Sequence, residues 1–387
     1  EDVRMLRIIA AACLLAGPAG AVEIVVGHLH VIQPPPPVLP ELELRPEGLG
    51  LDGTRLGRED NATTGRFLNQ TYEVTFYEVD ADGDVVAAAL AALAESPLLI
   101  VDGPSAALQV IADLPEARGA LIFNASEGDP ALRGAGCRGN LLHTVPSTSM
   151  RTDALAQFLT RKRWDDLVLV AGEHGPDQAY AAALERSLTK FGLEIGARKT
   201  WAFDADMRRN AAAEVPLFTQ EFGDYDALLV ADELGDFGRF LLYNTWEPRP
   251  IAGSEGLTAQ TWAPVVEQWG AIQLQNRFAD LAGRPMQSED WAAWAAMRAI
   301  GEAVTRTNSA DPAKLRAFLL SDAFELAGFK GRPLTFRAWN GQLRQPIPIV
   351  HPRALVASAP LEGFLHQRTE LDTLGLDAPE SDCTAFN

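Results

Sequence analysis

Residues 164–192 read WDDLVLVAGEHGPDQAYAAALERSLTKFG. The unbroken apolar run from Leu167 to Val170 stops at a loop holding Gly172, Gly175 and Pro176, and a helical, alanine-rich pattern follows from Asp177 to Phe191. A strand that is apolar on both faces is covered by helices on both faces, so this stretch reads as one unit of a parallel βαβ sheet. Its position decides the fold, because it follows a Pro-Ser-Thr-Ser break at residues 146–149 and restarts a rhythm the chain has already run once. Upstream, strands are expected at Glu23 to Leu29, Tyr72 to Val79, Pro97 to Val101 and Gly119 to Phe123, with helices at Gly53 to Gln70, Val85 to Ala94 and Ala106 to Leu114. A helix over Arg151 to Arg163 opens the second round, which continues with strands at Glu194 to Trp201 and Ala227 to Val230 and a short helix at Arg239 to Tyr243. The rhythm is too long for one sheet, so two doubly wound parallel-sheet lobes of α/β class are expected.

The late chain returns to helix over Trp291 to Arg306, where Trp291, Trp294 and Met297 form a stripe at helical spacing that reads as core. The expected division is residues 22–145 with about 276–338 as lobe one, 146–275 with about 339–357 as lobe two, and a tail from 358. Residues 33–46 are rich in proline and break the rhythm after the first strand, as an extended, solvated insertion would.

With 387 residues, of which 47% are hydrophobic, the chain has ample material for a large core. Its 52 acidic against 33 basic residues give a net charge of -19, which excludes a phosphate-binding surface and with it nucleic acid as a partner. After Met5, a short basic head at Arg7, an apolar run from Leu6 to Ala16 and the small-residue end Ala19-Gly20-Ala21 read as a secretory signal cleaved before Val22. The apolar run is about half of the ~20 residues a membrane anchor needs. The excised piece carries Glu1, Asp2, Arg4 and Arg7, so the mature charge is unchanged. Cys13 leaves with it, and Cys137 and Cys383 remain. In an oxidising exported compartment that pair favours a disulfide over two free thiols.

Several segments resemble the periplasmic solute-binding proteins of ABC transporters of the leucine/isoleucine/valine type. These are Asn124-Ala125-Ser126 through Asp129-Pro130-Ala131-Leu132, the unit Ala171 to Gly192, and Phe329-Lys330-Gly331 to Phe336 with Trp339-Asn340-Gly341-Gln342 after it. More narrowly, the run Leu56 to Leu68 (LGREDNATTGRFL) and the ending Glu380-Ser381-Asp382-Cys383 resemble the subgroup associated with PQQ-dependent alcohol oxidation. The resemblance implies the type I periplasmic binding fold, two lobes joined by crossover strands, closing as a monomer on a small-molecule or metal-ion solute and docking on an inner-membrane ABC permease. It also implies a second possibility, a non-transport accessory or sensor that delivers a cofactor or metal to a PQQ dehydrogenase. The chain departs from the amino-acid binders at its first strand, where His28-Leu29-His30 runs into the Pro-rich insertion instead of a short Gly/Ser loop.

In open α/β sheets ligands sit beyond the carboxyl ends of the strands. Lobe one offers His28 and His30, then Asp102 and Ser105, then Asn124, Ser126 and Glu127; lobe two offers Glu173, His174 and Asp177, then Asp232, Glu233 and Asp236. The helix starts at Ser105 and Ser126 could hold an anionic group through backbone N–H donors, and Asp232 or Glu233 an ammonium. A hard cation would instead gather Glu127, Glu173, Asp232 and Glu233. His28-x-His30 lacks a third ligand and reads as an ordinary strand end. Asp80-Ala81-Asp82-Gly83-Asp84 starts like a calcium loop, but Ala91 stands where the closing Glu belongs, so a turn into a helix cap is expected. The residues Arg58-Glu59-Asp60-Asn61 suit either a partner surface or a capping network. No G-x-S-x-G elbow, P-loop, C-x-x-C or H-E-x-x-H occurs and no G-x-G-x-x-G directly follows a strand, so a binding protein without cofactor is expected rather than an enzyme.

Overall fold

The five residues Leu98–Asp102 (β3) are all buried, and their side chains divide by the period of two between separate cores. Leu98 and Ile100 pack into one core with Ile24, Val26 and Phe123, whereas Leu99 and Val101 pack into another with Leu29, Leu108 and Ile111. This two-sided burial is the reason for the continuous apolar run. The computed structural model describes residues 21–34, 45–201 and 210–386. The signal segment through Gly20, Cys13 and most of the Pro-rich insertion lie outside the described residues.

Lobe one comprises β1 (Val22–Ile32), α1 (Leu51–Leu68), β2 (Gln70–Asp80), α2 (Val85–Glu95), β3, α3 (Ser105–Asp113), β4 (Leu121–Asn124) and β5 (Leu141–His143). The strands form one sheet in the order β2-β1-β3-β4-β5, each neighbouring pair parallel. The chain then enters α4 (Thr148–Lys162), which starts three residues earlier than the sequence pattern suggests because Ser147 accepts the Met150 N–H at 3.2 Å. Lobe two follows with β6 (Asp166–Gly172), α5 (Gly175–Lys190), β7 (Glu194–Trp201), α6 (Ala211–Thr219), β8 (Ala227–Ala231), α7 (Gly238–Leu241) and β9 (Ile251–Gly253). Its sheet is also parallel, in the order β7-β6-β8-β9. The three-residue strands β5 and β9 carry no pattern long enough to read from sequence.

After β10 (Thr258–Ala259) the chain returns through α8 (Ala271–Ala282), α9 (Ser288–Thr307) and α10 (Pro312–Leu319), then β11 (Thr335–Phe336), β12 (Leu343–Arg344), β13 (Ile347–His351) and β14 (Ala354–Ala359). Trp291, Trp294 and Met297 of α9 are buried with Trp262 in the lobe-one core, and Trp262 stacks on Trp291 with centroids 6.3 Å apart. Helix α1 lies close on α9: a Cβ on Gly57 would stand 2.8 Å from that of Met297, and one on Gly53 would meet the Asp290 carbonyl oxygen at 1.9 Å. Asn61 donates to the Met297 carbonyl at 2.7 Å, and Asp60 takes the Trp294 indole N–H at 2.9 Å. That end of the Arg58 to Asn61 run is therefore internal packing. The glycines Gly48, Gly50 and Gly53 form a G-x-G-x-x-G string, but the Gly50 N–H donates to Asp290 at 2.8 Å, so the start of α1 already holds a carboxylate. Asp84 caps α2 by accepting the Ala87 N–H at 2.9 Å.

Strands β10, β13 and β14 form an antiparallel sheet, and Ile347 and Ile349 pack on Met150, Ala154 and Phe158 of α4. The tail beyond β14 ties the lobes together. Arg337 and Arg344, both buried, donate to Asp372 at 2.9 and 2.8 Å. The Gly375 N–H donates to Asp153 of α4 at 2.7 Å, and Ser381 donates to the Arg133 carbonyl at 2.8 Å. Cys383 and Cys137 lie beyond it with their sulfurs at bonding distance, 2.06 Å. No described helix is long and apolar enough to cross a membrane.

Candidate functional site

The lobe-one wall is built at the ends of β3 and β4. Asn124, fully buried, accepts the N–H groups of Ser126 and Glu127 at 3.2 and 2.8 Å and donates to the Glu127 carbonyl at 2.7 Å, closing the loop on itself. Ser126 accepts the Gly103 N–H at 2.9 Å. The Glu127 carboxylate accepts the N–H groups of Ser105 and Asp129 at 3.0 and 2.8 Å, and the Ser105 hydroxyl donates to Asp129 at 2.9 Å. The first turn of α3, expected to hold a ligand's anionic group, is thus served by the protein's own carboxylate. Arg133, buried behind the loop, donates to the carbonyls of Glu127, Asp129 and Val145 at 2.8, 3.0 and 3.1 Å and so fixes it to the first crossover. Burial pushes the Arg133 guanidinium down to about 9, against the pull of Glu127 and Asp129.

Beside it, His30 bonds Asp102 at 2.8 Å and Arg45 donates to the same oxygen at 3.4 Å. Burial alone would push the Asp102 carboxyl up, but the hydrogen bond and charge of His30, with Arg45 and Ser126 behind them, hold it below the usual range. His28 is turned into the core on Thr54 at 2.8 Å, and burial lowers it to about 4. The two histidines therefore have separate partners. Among the described residues no group of three or more His, Cys, Asp or Glu is placed to hold a metal ion.

On the lobe-two wall, Asp232 is buried and accepts the N–H groups of Asp236, Phe237 and Gly238 at 2.8, 2.9 and 2.6 Å. It ties down the loop into α7. Asp177, also buried, accepts the Glu233 N–H at 2.7 Å, and burial raises its carboxyl, with the neighbouring Asp232 charge adding to the shift. His174 bonds Asp236 at 2.8 Å. Glu173 is exposed. Glu233 projects from this scaffold and takes a bidentate contact from Arg151 at 3.1 and 3.3 Å. Burial works against the Arg151 charge, but the Glu233 carboxylate outweighs it and raises the guanidinium above its usual range. Arg151 also donates to the Ala259 carbonyl at 3.1 Å and lies over the Tyr180 ring at 5.2 Å.

Between the walls lies a cavity of about 810 Å³. Lobe one lines it with Ser126, Glu127, Gln287 and Glu289, lobe two with Arg151 and Glu233, and the crossovers with Pro146, Gln260 and Trp262. A second chamber of about 760 Å³ shares Glu127, Thr148 and Glu233 with the first and adds Tyr180 and Arg186. Of the nine residues expected at the ligand, Ser126, Glu127 and Glu233 line this cleft. Asp102, Ser105, Asn124, Asp177 and Asp232 stand behind it as supports, and Glu173 lines neither chamber. Arg151, Trp262 and Glu289 were not found by the strand-end rule because they follow crossovers rather than strands of a βαβ unit. The signal that could have found them is the start of a helix after each break in the rhythm, at Pro146 for Arg151 and before Ser288 for Glu289.

Neither a protein-family model nor a curated protein sequence matches the chain. Solved structures do match. A branched-chain amino acid ABC transporter periplasmic ligand-binding protein from Burkholderia xenovorans LB400 superposes with a TM-score of 0.72 at 15% identity, over 94% of this chain and 100% of that one. The leucine-, isoleucine-, valine-, threonine- and alanine-binding protein from Brucella ovis, in a closed conformation, gives 0.69 at 14% identity over 94% and 99%. A periplasmic binding protein from Burkholderia mallei gives 0.66 at 14% identity over 95% and 100%. At these identities the likeness establishes the architecture, which is the type I periplasmic binding protein fold with two parallel-sheet lobes.

Proposed function

We propose that the chain is the periplasmic solute-binding component of an ABC importer, a monomer that closes its two lobes on a small, amino-acid-like solute and presents the closed form to an inner-membrane permease. The observation that carries this reading is the polar cavity of about 810 Å³ between lobes of this fold, with charged side chains on both walls. A solute touching Glu127 or Glu289 on one side and Arg151 or Glu233 on the other gains contacts only when the walls approach. It thereby shifts an open-closed equilibrium by that difference. Ser126, Glu127 and Glu233 are assigned as contact residues, and Asp102, Ser105, Asn124, Asp177 and Asp232 as the scaffold that aims them. The units of closure are residues 22–145 with about 276–338, and 146–275 with about 339–357. Trp262, inside the second of these spans, packs with the lobe-one core. Export by a cleaved signal and a Cys137–Cys383 disulfide belong to the same reading.

Association with PQQ-dependent alcohol oxidation is proposed on the resemblance of the Leu56 to Leu68 run and the Glu380 to Cys383 ending alone. A metal-ion solute has less support, since no cluster of ligating side chains forms among the described residues. Small-angle scattering of the mature chain with a panel of amino acids and related metabolites tests the importer reading. The right solute reduces the radius of gyration. No compaction with any member, together with co-purification with a dehydrogenase, would replace the importer by the accessory reading.

A further inference from the structure

The cavity has an uneven charge balance. Glu127, Glu233 and Glu289 line it against the single guanidinium of Arg151, and that guanidinium is already held by Glu233 in a bidentate contact at 3.1 and 3.3 Å. What remains is on lobe one. Glu127 is a fixed acceptor, each oxygen held by a backbone N–H. Glu289 stands in the first turn of α9, and among the described residues no other side chain forms a salt bridge or hydrogen bond with it. Trp262, buried and stacked on Trp291, lines the same space. In the adjoining chamber Tyr180 is 1% exposed, and its hydroxyl has no hydrogen-bond partner among the described residues.

We infer that the group of the solute recognised by lobe one is an organic ammonium, seated at Glu127 and Glu289 beside Trp262, and that the solute is neutral or positive overall rather than an anion. This rests on the proposed solute-binding role and narrows it to a chemical class. The helix start at Ser105 holds Glu127, and the charge of Arg151 is already paired with Glu233. The state of Glu289 agrees. Burial raises its carboxyl, the charges of Asp102 and Asp290 add to the shift, and Arg45 offsets part of it, so an ammonium at that position favours the ionised form.

The test uses the mature chain, with putrescine, ethanolamine and L-lysine as amine probes and succinate and glycolate as carboxylate probes, read by calorimetry and by scattering. At least one amine binds and compacts the protein, and the carboxylates do neither. Glu289→Gln weakens the bound amine about tenfold or more, the usual worth of a charge-assisted hydrogen bond, while its melting point without solute equals or exceeds that of the unmodified chain. A carboxylate that compacts the protein while amines do not would overturn the ammonium assignment and leave the importer reading standing. An amine affinity unchanged in Glu289→Gln would overturn the seat assigned here. No compaction by any probe would count against both.

Discussion

Replacing Asp232 separates a residue that holds the cleft from one that touches the solute. Its carboxylate accepts three backbone N–H groups at 2.8, 2.9 and 2.6 Å and its residue is 4% exposed. In Asp232→Asn the amide oxygen can keep the two donors that share Oδ2, Phe237 and Gly238, while the NH₂ faces the Asp236 N–H, which it cannot satisfy. One bond to a charged acceptor, worth about 1.5–3 kcal/mol, is lost, and the two that remain are made to a neutral oxygen, for a net cost of about 3 kcal/mol. In a cooperative unit of about 150–250 residues, 1 kcal/mol moves the melting point by about 2–4 °C, so a fall of roughly 6–12 °C is expected. The loop loosens around Phe237, whose ring stacks on Trp201 at 5.2 Å and 8°, so near-ultraviolet circular dichroism should change as well. Thermal melting of the unliganded protein is compared with solute affinity measured well below the transition. The scaffold reading requires a marked fall in melting point with a modest loss of affinity. An unchanged melting point with affinity down more than tenfold would refute it and make Asp232 a contact residue.

The remaining predictions concern stability. Burial lowers His28 from 6.5 to about 4, so the fold keeps it neutral where the unfolded chain takes up a proton. Its contribution is fully present above pH 6.5 and is lost as the pH falls towards 4. Urea unfolding across that window should be shallower in pH for His28→Gln than for the unmodified chain by about one proton, roughly 1.4 kcal/mol per pH unit, and equal slopes would refute it. Cys137 and Cys383 are separated by 246 positions, and a bridge closing so long a loop stabilises by about 5 kcal/mol in the loop-entropy model. Cys137→Ser with Cys383→Ser should therefore unfold at distinctly lower urea, and recovery of both cysteines as free thiols in a non-reducing peptide map would refute the pairing.

Wherever a strand is covered on both faces, its identity was legible locally. Leu98 to Val101 and Leu167 to Val170 need no knowledge of their neighbours to be read as central strands, because continuous burial leaves a continuous apolar run. The repeat of that pattern after Pro146 gave the two lobes, and the Trp stripe of α9 gave a core helix. Elements as short as β5 and β9 were not legible, since three residues define no period.

The candidate site was legible only as a set of places. Sequence located the strand ends, and the residues it selected there carry carboxylate, hydroxyl, amide or imidazole groups, but residue type does not say whether a group faces solute or its own backbone. Asp232 and Glu233 are adjacent and chemically alike, yet one is consumed by the loop into α7 and the other reaches Arg151, 82 positions earlier in the chain. Glu127 lines the cleft, yet its carboxylate also holds the start of α3, 22 positions upstream. Sequence by itself determined two covered sheets, a paired set of cleft-facing loops and a negative balance, because burial and net charge are properties of local pattern and composition. The tertiary structure alone decided which carboxylates are spent inside the protein and which, Glu289 foremost, are left facing the cleft. That depends on hydrogen bonds between residues far apart in the chain, and no local pattern encodes them.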